Sequence, residues 1–134
     1  MKLIVAITVI LGAVSCGSPA PEEPQFIELQ RVRAGELDVI LLSPDGSVSD
    51  GKDTVVVEFR RGDTLADVGT VKGFASMPMA GLPDMMGSAF LERAKEPGRY
   101  EAELDLSMSG GWQLKLEWDG PAGKGTASIP LTAE

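Results

Sequence analysis

Four methionines crowd the twelve residues Ser76–Gly87 (Ser-Met-Pro-Met-Ala-Gly-Leu-Pro-Asp-Met-Met-Gly), at Met77, Met79, Met85 and Met86. Thioether sulfur is a soft donor that suits Cu(I), and Ag(I) shares that softness. It carries no proton, so metal binding does not compete with H⁺ as it does at thiolate or imidazole. It also cannot be lost to disulfide formation in an oxidising compartment. Met77 and Met79 are two apart, so in an extended segment they share a face at about 6.5–7 Å. Met85 and Met86 return after Gly81-Leu82-Pro83, which lets the segment fold back as a clamp. Met108, in the turn before Trp112, adds a further sulfur if loops cluster at one end of the domain. Asp84 is either a hard secondary ligand or a solvated turn carboxylate. The same methionines also have plainer uses, since they fill irregular gaps against aromatics and make adaptable contact surfaces for partners.

The elements that hold these residues follow from the rest of the chain. Pro78, Pro83, Gly81 and Gly87 break a helix or central strand, so Ser76–Gly87 is expected to be a loop or an irregular edge. Exposed loops are normally polar, and a sulfur-rich one therefore points to function. Around it, short β-like runs alternate with turn signals. They are Phe26–Arg33, Leu37–Ser43, the β-branched Thr54–Arg60, a glycine-weakened Asp67–Ala75, Ser88–Lys95, Arg99–Leu104, Trp112–Trp118 and Thr126–Leu131. Pro44-Asp45-Gly46, Arg61-Gly62-Asp63 and Glu96-Pro97-Gly98 read as turns. Arg99–Leu104 places Tyr100, Ala102 and Leu104 on one face, and Trp112–Trp118 places Trp112, Leu114, Leu116 and Trp118 on one face. Seven or eight short antiparallel strands with turns every 8 to 12 residues predict an all-β, immunoglobulin-like β-sandwich over residues 26–134. Trp112 and Trp118 are expected in its core, and Tyr100 is expected to pack in the manner of a tyrosine corner.

Before that domain, Met1-Lys2 and the apolar Leu3–Val14 read as a secretory signal peptide, residues 1–15. The run is too short for a transmembrane helix of about 20 residues. Ala13-Val14-Ser15-Cys16 resembles a bacterial lipobox, with Ala13 where leucine is commonest; this implies lipidation of Cys16 and a membrane anchor facing the periplasm. Ordinary secretion with cleavage near Ser15 is the alternative. By resemblance to enterobacterial sorting rules, Gly17 rather than Asp after the cysteine implies the outer membrane. Residues 16–25, with Pro19, Pro21, Glu22, Glu23 and Pro24, read as a disordered tether.

Composition narrows the function. The 134 residues carry 12 basic against 20 acidic side chains, a net charge of −8. Such a chain does not suit nucleic acid or anionic lipid. It has no histidine and a single cysteine. An internal disulfide and a cysteine zinc site are excluded, as are Ser/His and Cys/His nucleophile pairs. No carboxylate pair stands at a recognisable catalytic spacing, so an enzyme is not expected.

Met77-Pro78-Met79-Ala80-Gly81, Met85-Met86-Gly87, Pro97-Gly98-Arg99-Tyr100 and Met108-Ser109-Gly110-Gly111-Trp112, in that order, resemble the YtkA-like/FixH-like family from about Leu37 to Pro130. The resemblance implies a small exported or membrane-tethered β-sandwich associated with copper handling. It implies Cu(I) or Ag(I) ligands at Met77, Met79, Met85, Met86 and Met108. Leu82 stands where many relatives carry a further methionine. A metal carrier serving an efflux or oxidase system is one reading. A non-metal module whose apolar methionine loop docks a membrane complex during assembly is the other.

Overall fold

A computed structural model describes Gly17 and residues 25–134; the expected signal peptide, the expected lipidation at Cys16 and most of the expected tether lie outside the described residues. The described residues fold into strands joined by turns, with no helix among them. The strands are β1 (Ile27–Ala34), β2 (Leu37–Ser43), β3 (Gly51–Arg61), β4 (Thr64–Leu65), β5 (Thr70–Met79), β6 (Leu82–Arg93), β7 (Arg99–Leu106), β8 (Gly110–Gly120) and β9 (Gly123–Ala133). Eight of them pair in the order β1-β2-β3-β7-β6-β5-β8-β9, and the two-residue β4 pairs with β3. All these strand pairings are antiparallel. Within this order β8-β5-β6-β7 is a Greek-key arrangement, with three hairpin-joined strands and a fourth beside the first.

The sheet folds over on itself, as the core aromatics demonstrate. Phe59 on β3 and Trp118 on β8 stand four strands apart in the pairing order, about 19 Å in a flat sheet. Their ring centroids are 5.0 Å apart, edge to face, and Phe59 meets Tyr100 in the same way at 5.4 Å. β1 also packs against β9, bringing the two ends of the sheet together. The architecture is therefore the expected sandwich-like, all-β class. Its interior is set by period-two alternation. β7 buries Tyr100, Ala102, Leu104 and Leu106, and β8 buries Trp112, Leu114, Leu116 and Trp118. The Tyr100 hydroxyl donates to the Gly69 carbonyl, which satisfies the one polar atom this buried ring carries.

Of the expected loop or irregular edge, the methionine segment forms the second. Ser76–Met79 ends β5, Leu82–Gly87 begins β6, and only Ala80-Gly81 turns. The prolines are tolerated because the hairpin outruns its neighbours. β5 pairs with β8 only as far as Ser76, and β6 pairs with β7 only from Ser88. Beyond those points the outer edges of the hairpin carry no ladder, so Pro78 and Pro83 forfeit little. The pairing register also shifts between Met77 and Met79, the kind of bulge where proline is accommodated. β3 likewise begins earlier than its β-branched run predicts. Gly51, Lys52 and Asp53 pair with Leu106, Asp105 and Leu104, and tertiary pairing outweighs their turn-like composition.

Candidate functional site

The projecting hairpin has two faces, and strand alternation assigns the methionines between them. Ala75 pairs with Leu114 on the core side, so Met77 and Met79, two and four residues on, continue that inner face. Met85 lies directly opposite Met77, where facing Cβ atoms are about 5 Å apart. Met86 pairs with Ser76 and projects from the outer face, 59% exposed. Met77 is buried, while Met79 and Met85 are half-buried against the core.

The short β7–β8 connection, Ser107–Ser109, closes over the inner face. The Ser107 hydroxyl donates to Met85 Sδ at 3.0 Å. On the other side of the turn, a Cβ added at Gly110 would lie 3.0 Å from the Met77 methyl carbon. Gly110 has φ +131, a conformation open to glycine and costly for other residues. Met108 sits between these contacts and is 41% exposed. Its carbonyl accepts a hydrogen bond from Trp112 Nε1 at 3.0 Å, which fixes the turn to the core. Trp112 itself is buried.

The structure thus brings Met77, Met79 and Met85 onto one face and sets the turn bearing Met108 against them. Met86 does not join this group. Asp84 is exposed, and among the described residues no three His, Cys, Asp or Glu side chains gather as a metal site. The donors on offer are thioethers, with one hydroxyl beside them. Such a set fits a soft monovalent cation better than Zn²⁺, Ca²⁺ or Mg²⁺, which take imidazole, thiolate or oxygen. Ser107 and Gly110 are contacts that the sequence reading passed over. The signal was present in the small-residue string Ser107-Met108-Ser109-Gly110-Gly111, which allows the turn to approach the methionines closely.

A cleft lined by Phe26, Val56, Arg93, Arg99 and Tyr100, among others, lies away from the methionines. Beside it Glu58, 3% exposed, accepts from Arg60 Nε at 2.7 Å and from Arg99 Nη2 at 2.6 Å. Burial pushes the Glu58 carboxyl up, but the hydrogen bonds and charges of Arg99 and Arg60 outweigh it and hold the group below its ordinary 4.5. These are structural ion pairs, with Arg99 also lying over the Phe26 ring.

The family model described as YtkA-like matches residues 31–117. That span runs from β1 into β8 and includes all five methionines under discussion. No curated protein and no solved structure matches the chain. On the strength of the family match, this chain belongs to the YtkA-like family.

Proposed function

We propose that this chain is a Cu(I)- or Ag(I)-binding lipoprotein of the bacterial cell envelope. In this reading it is anchored through lipidated Cys16, faces the periplasm, and holds the soft cation on its way to an efflux or oxidase system. The supporting observation is the inner face of the hairpin. Met77 and Met85 oppose one another, Met79 follows on the same face, and the turn carrying Met108 lies against them. These four thioethers would hold the ion, and Ser107 would orient the Met85 sulfur. The acidic balance of the chain favours accumulation of cations around it. The role is carriage rather than catalysis and uses neither a general base nor a nucleophile.

Titration of the full-length chain with Ag(I), a redox-stable soft ion, tests the reading. Cys16→Ser is included throughout so that no thiol competes. Met77→Leu with Met85→Leu keeps the packing, since such swaps cost less than about 1.5 kcal/mol. The pair should weaken Ag(I) binding at least about 100-fold, equal to about 2.7 kcal/mol. Met86→Leu should leave affinity unchanged. Undiminished binding in the double variant would refute the proposal, and so would an equal loss in Met86→Leu.

A further inference from the structure

The outer side of the same hairpin is apolar. Phe74 on β5 and Met86 and Phe90 on β6 are 39%, 59% and 61% exposed. Phe74 pairs with Ser88, and Met86 and Phe90 flank Ser88 two residues either way. Both are therefore diagonal neighbours of Phe74, within reach of large side chains, and the three form one patch on a solvent face. In the next strand over, Glu103 lies opposite Phe90 and Glu101 lies opposite Glu92. Like charges directly opposite one another destabilise a sheet. Among the described residues none of these three glutamates has an ion-pair partner within 4.0 Å. By contrast Asp38 is paired with Arg31 and Arg33, and Glu58 with Arg60 and Arg99. A shallow cleft lined by Phe90, Glu92, Glu101 and Glu103, with Thr54, runs between the two strands. On the opposite side Lys115 lies over the Phe74 ring at 5.7 Å, so the negative lane borders the patch on the β7 side.

Charge selects the occupant. A second copy of the chain would bring the same glutamates to the contact, and anionic lipid would be repelled. The segment preceding the domain carries Glu22 and Glu23 and is equally unsuited. A basic amphipathic helix meets both features, with its apolar stripe on the aromatics and a lysine or arginine lane on the glutamates. Met86 to Phe90 spans about 13 Å of strand, the length of about nine helical residues.

We propose that the face formed by Phe74, Met86 and Phe90, bordered by Glu92, Glu101 and Glu103, docks a basic amphipathic helix of a partner protein. The surface is separate from the thioether face, and its test uses metal-free protein. Full-length chain is titrated with an amphipathic lysine–leucine helical peptide, followed by NMR shifts and by affinity. Controls are the same peptide with glutamate for lysine, a lysine-rich peptide without leucine, and phosphatidylcholine vesicles. The lysine–leucine peptide should bind and perturb Phe74, Met86 and Phe90. Phe74→Ser with Phe90→Ser should weaken it at least about tenfold. Glu92→Gln, Glu101→Gln and Glu103→Gln together should also weaken it and flatten its salt dependence. Neither variant should lower the melting temperature by more than a few degrees. Equal binding of either control peptide, binding to the vesicles, a footprint elsewhere, or dimerisation of the chain through this face would each overturn the proposal.

Discussion

Met77 is the buried member of the hairpin's inner face, while Met79 and Met85 are partly open and Met108 is exposed at the turn. The set is graded from core to solvent, and Leu82 occupies the one further position that the hairpin register brings beside it. Leu82 pairs with Met79 and is 63% exposed. On the proposed function, Leu82→Met adds a sulfur at the rim without disturbing the core. Stability should change by no more than about 0.5 kcal/mol, as for surface substitutions in general. Ag(I) affinity should rise about tenfold, equal to about 1.4 kcal/mol. A titration of the variant beside the parent reads the difference, and an unchanged affinity would place the metal away from the Met79 end of the cluster.

At the scale of elements, legibility in the sequence tracked local pattern. β2 and the cores of β7 and β8 carry clean apolar runs or alternation, and their limits follow closely from it. The shared face of Met77 and Met79 is also a period-two statement. The Met77–Met85 pairing was not readable, because it depends on a register that shifts within the hairpin. The string Ser107-Met108-Ser109-Gly110-Gly111 permits a close approach, but its meeting the methionines depends on a connection between strands that are not neighbours in the sheet. The two prolines point to a loop or an irregular edge, and the structure holds the second: they occupy the stretch where the strand edges are unpaired. There they also blunt two edges that would otherwise template pairing with another chain. Pro78→Val with Pro83→Val should keep the monomer fold but promote concentration-dependent association, visible by light scattering. A variant that stays monomeric at the highest soluble concentration would show that the hairpin's twist or bulge protects the edges instead.

The described residues form one curled sheet, and its acid stability depends on a group that ties two of its strands and the segment entering β1. Glu58 on β3 faces Arg99 on β7 across the ladder, and Arg99 in turn lies over Phe26, just before β1. Burial opposes the Glu58 charge, but the Arg99 and Arg60 hydrogen bonds prevail and depress its pKa below 4.5. Between the depressed value and 4.5 the unfolded chain binds the proton more readily than the folded one. The stabilisation is therefore fully present above 4.5 and is lost as pH falls through the folded value. Asp67 adds in the same direction, lowered by the Gly69 backbone N–H together with Arg93. The melting temperature should be nearly flat from neutral pH to about 5 and should fall below 4.5. Glu58→Gln should cost about 1–3 kcal/mol at pH 7, the loss of charged hydrogen bonds to two guanidiniums. The gap between variant and parent should narrow as pH falls through the folded-state value of Glu58, which lies below 4.5, because the parent's carboxylate loses its charge there. Thermal unfolding of the two chains at matched pH measures this directly, and curves that stay parallel from neutral pH to the acid limit of folding would mean that the Glu58 charge plays no part in holding the sheet together.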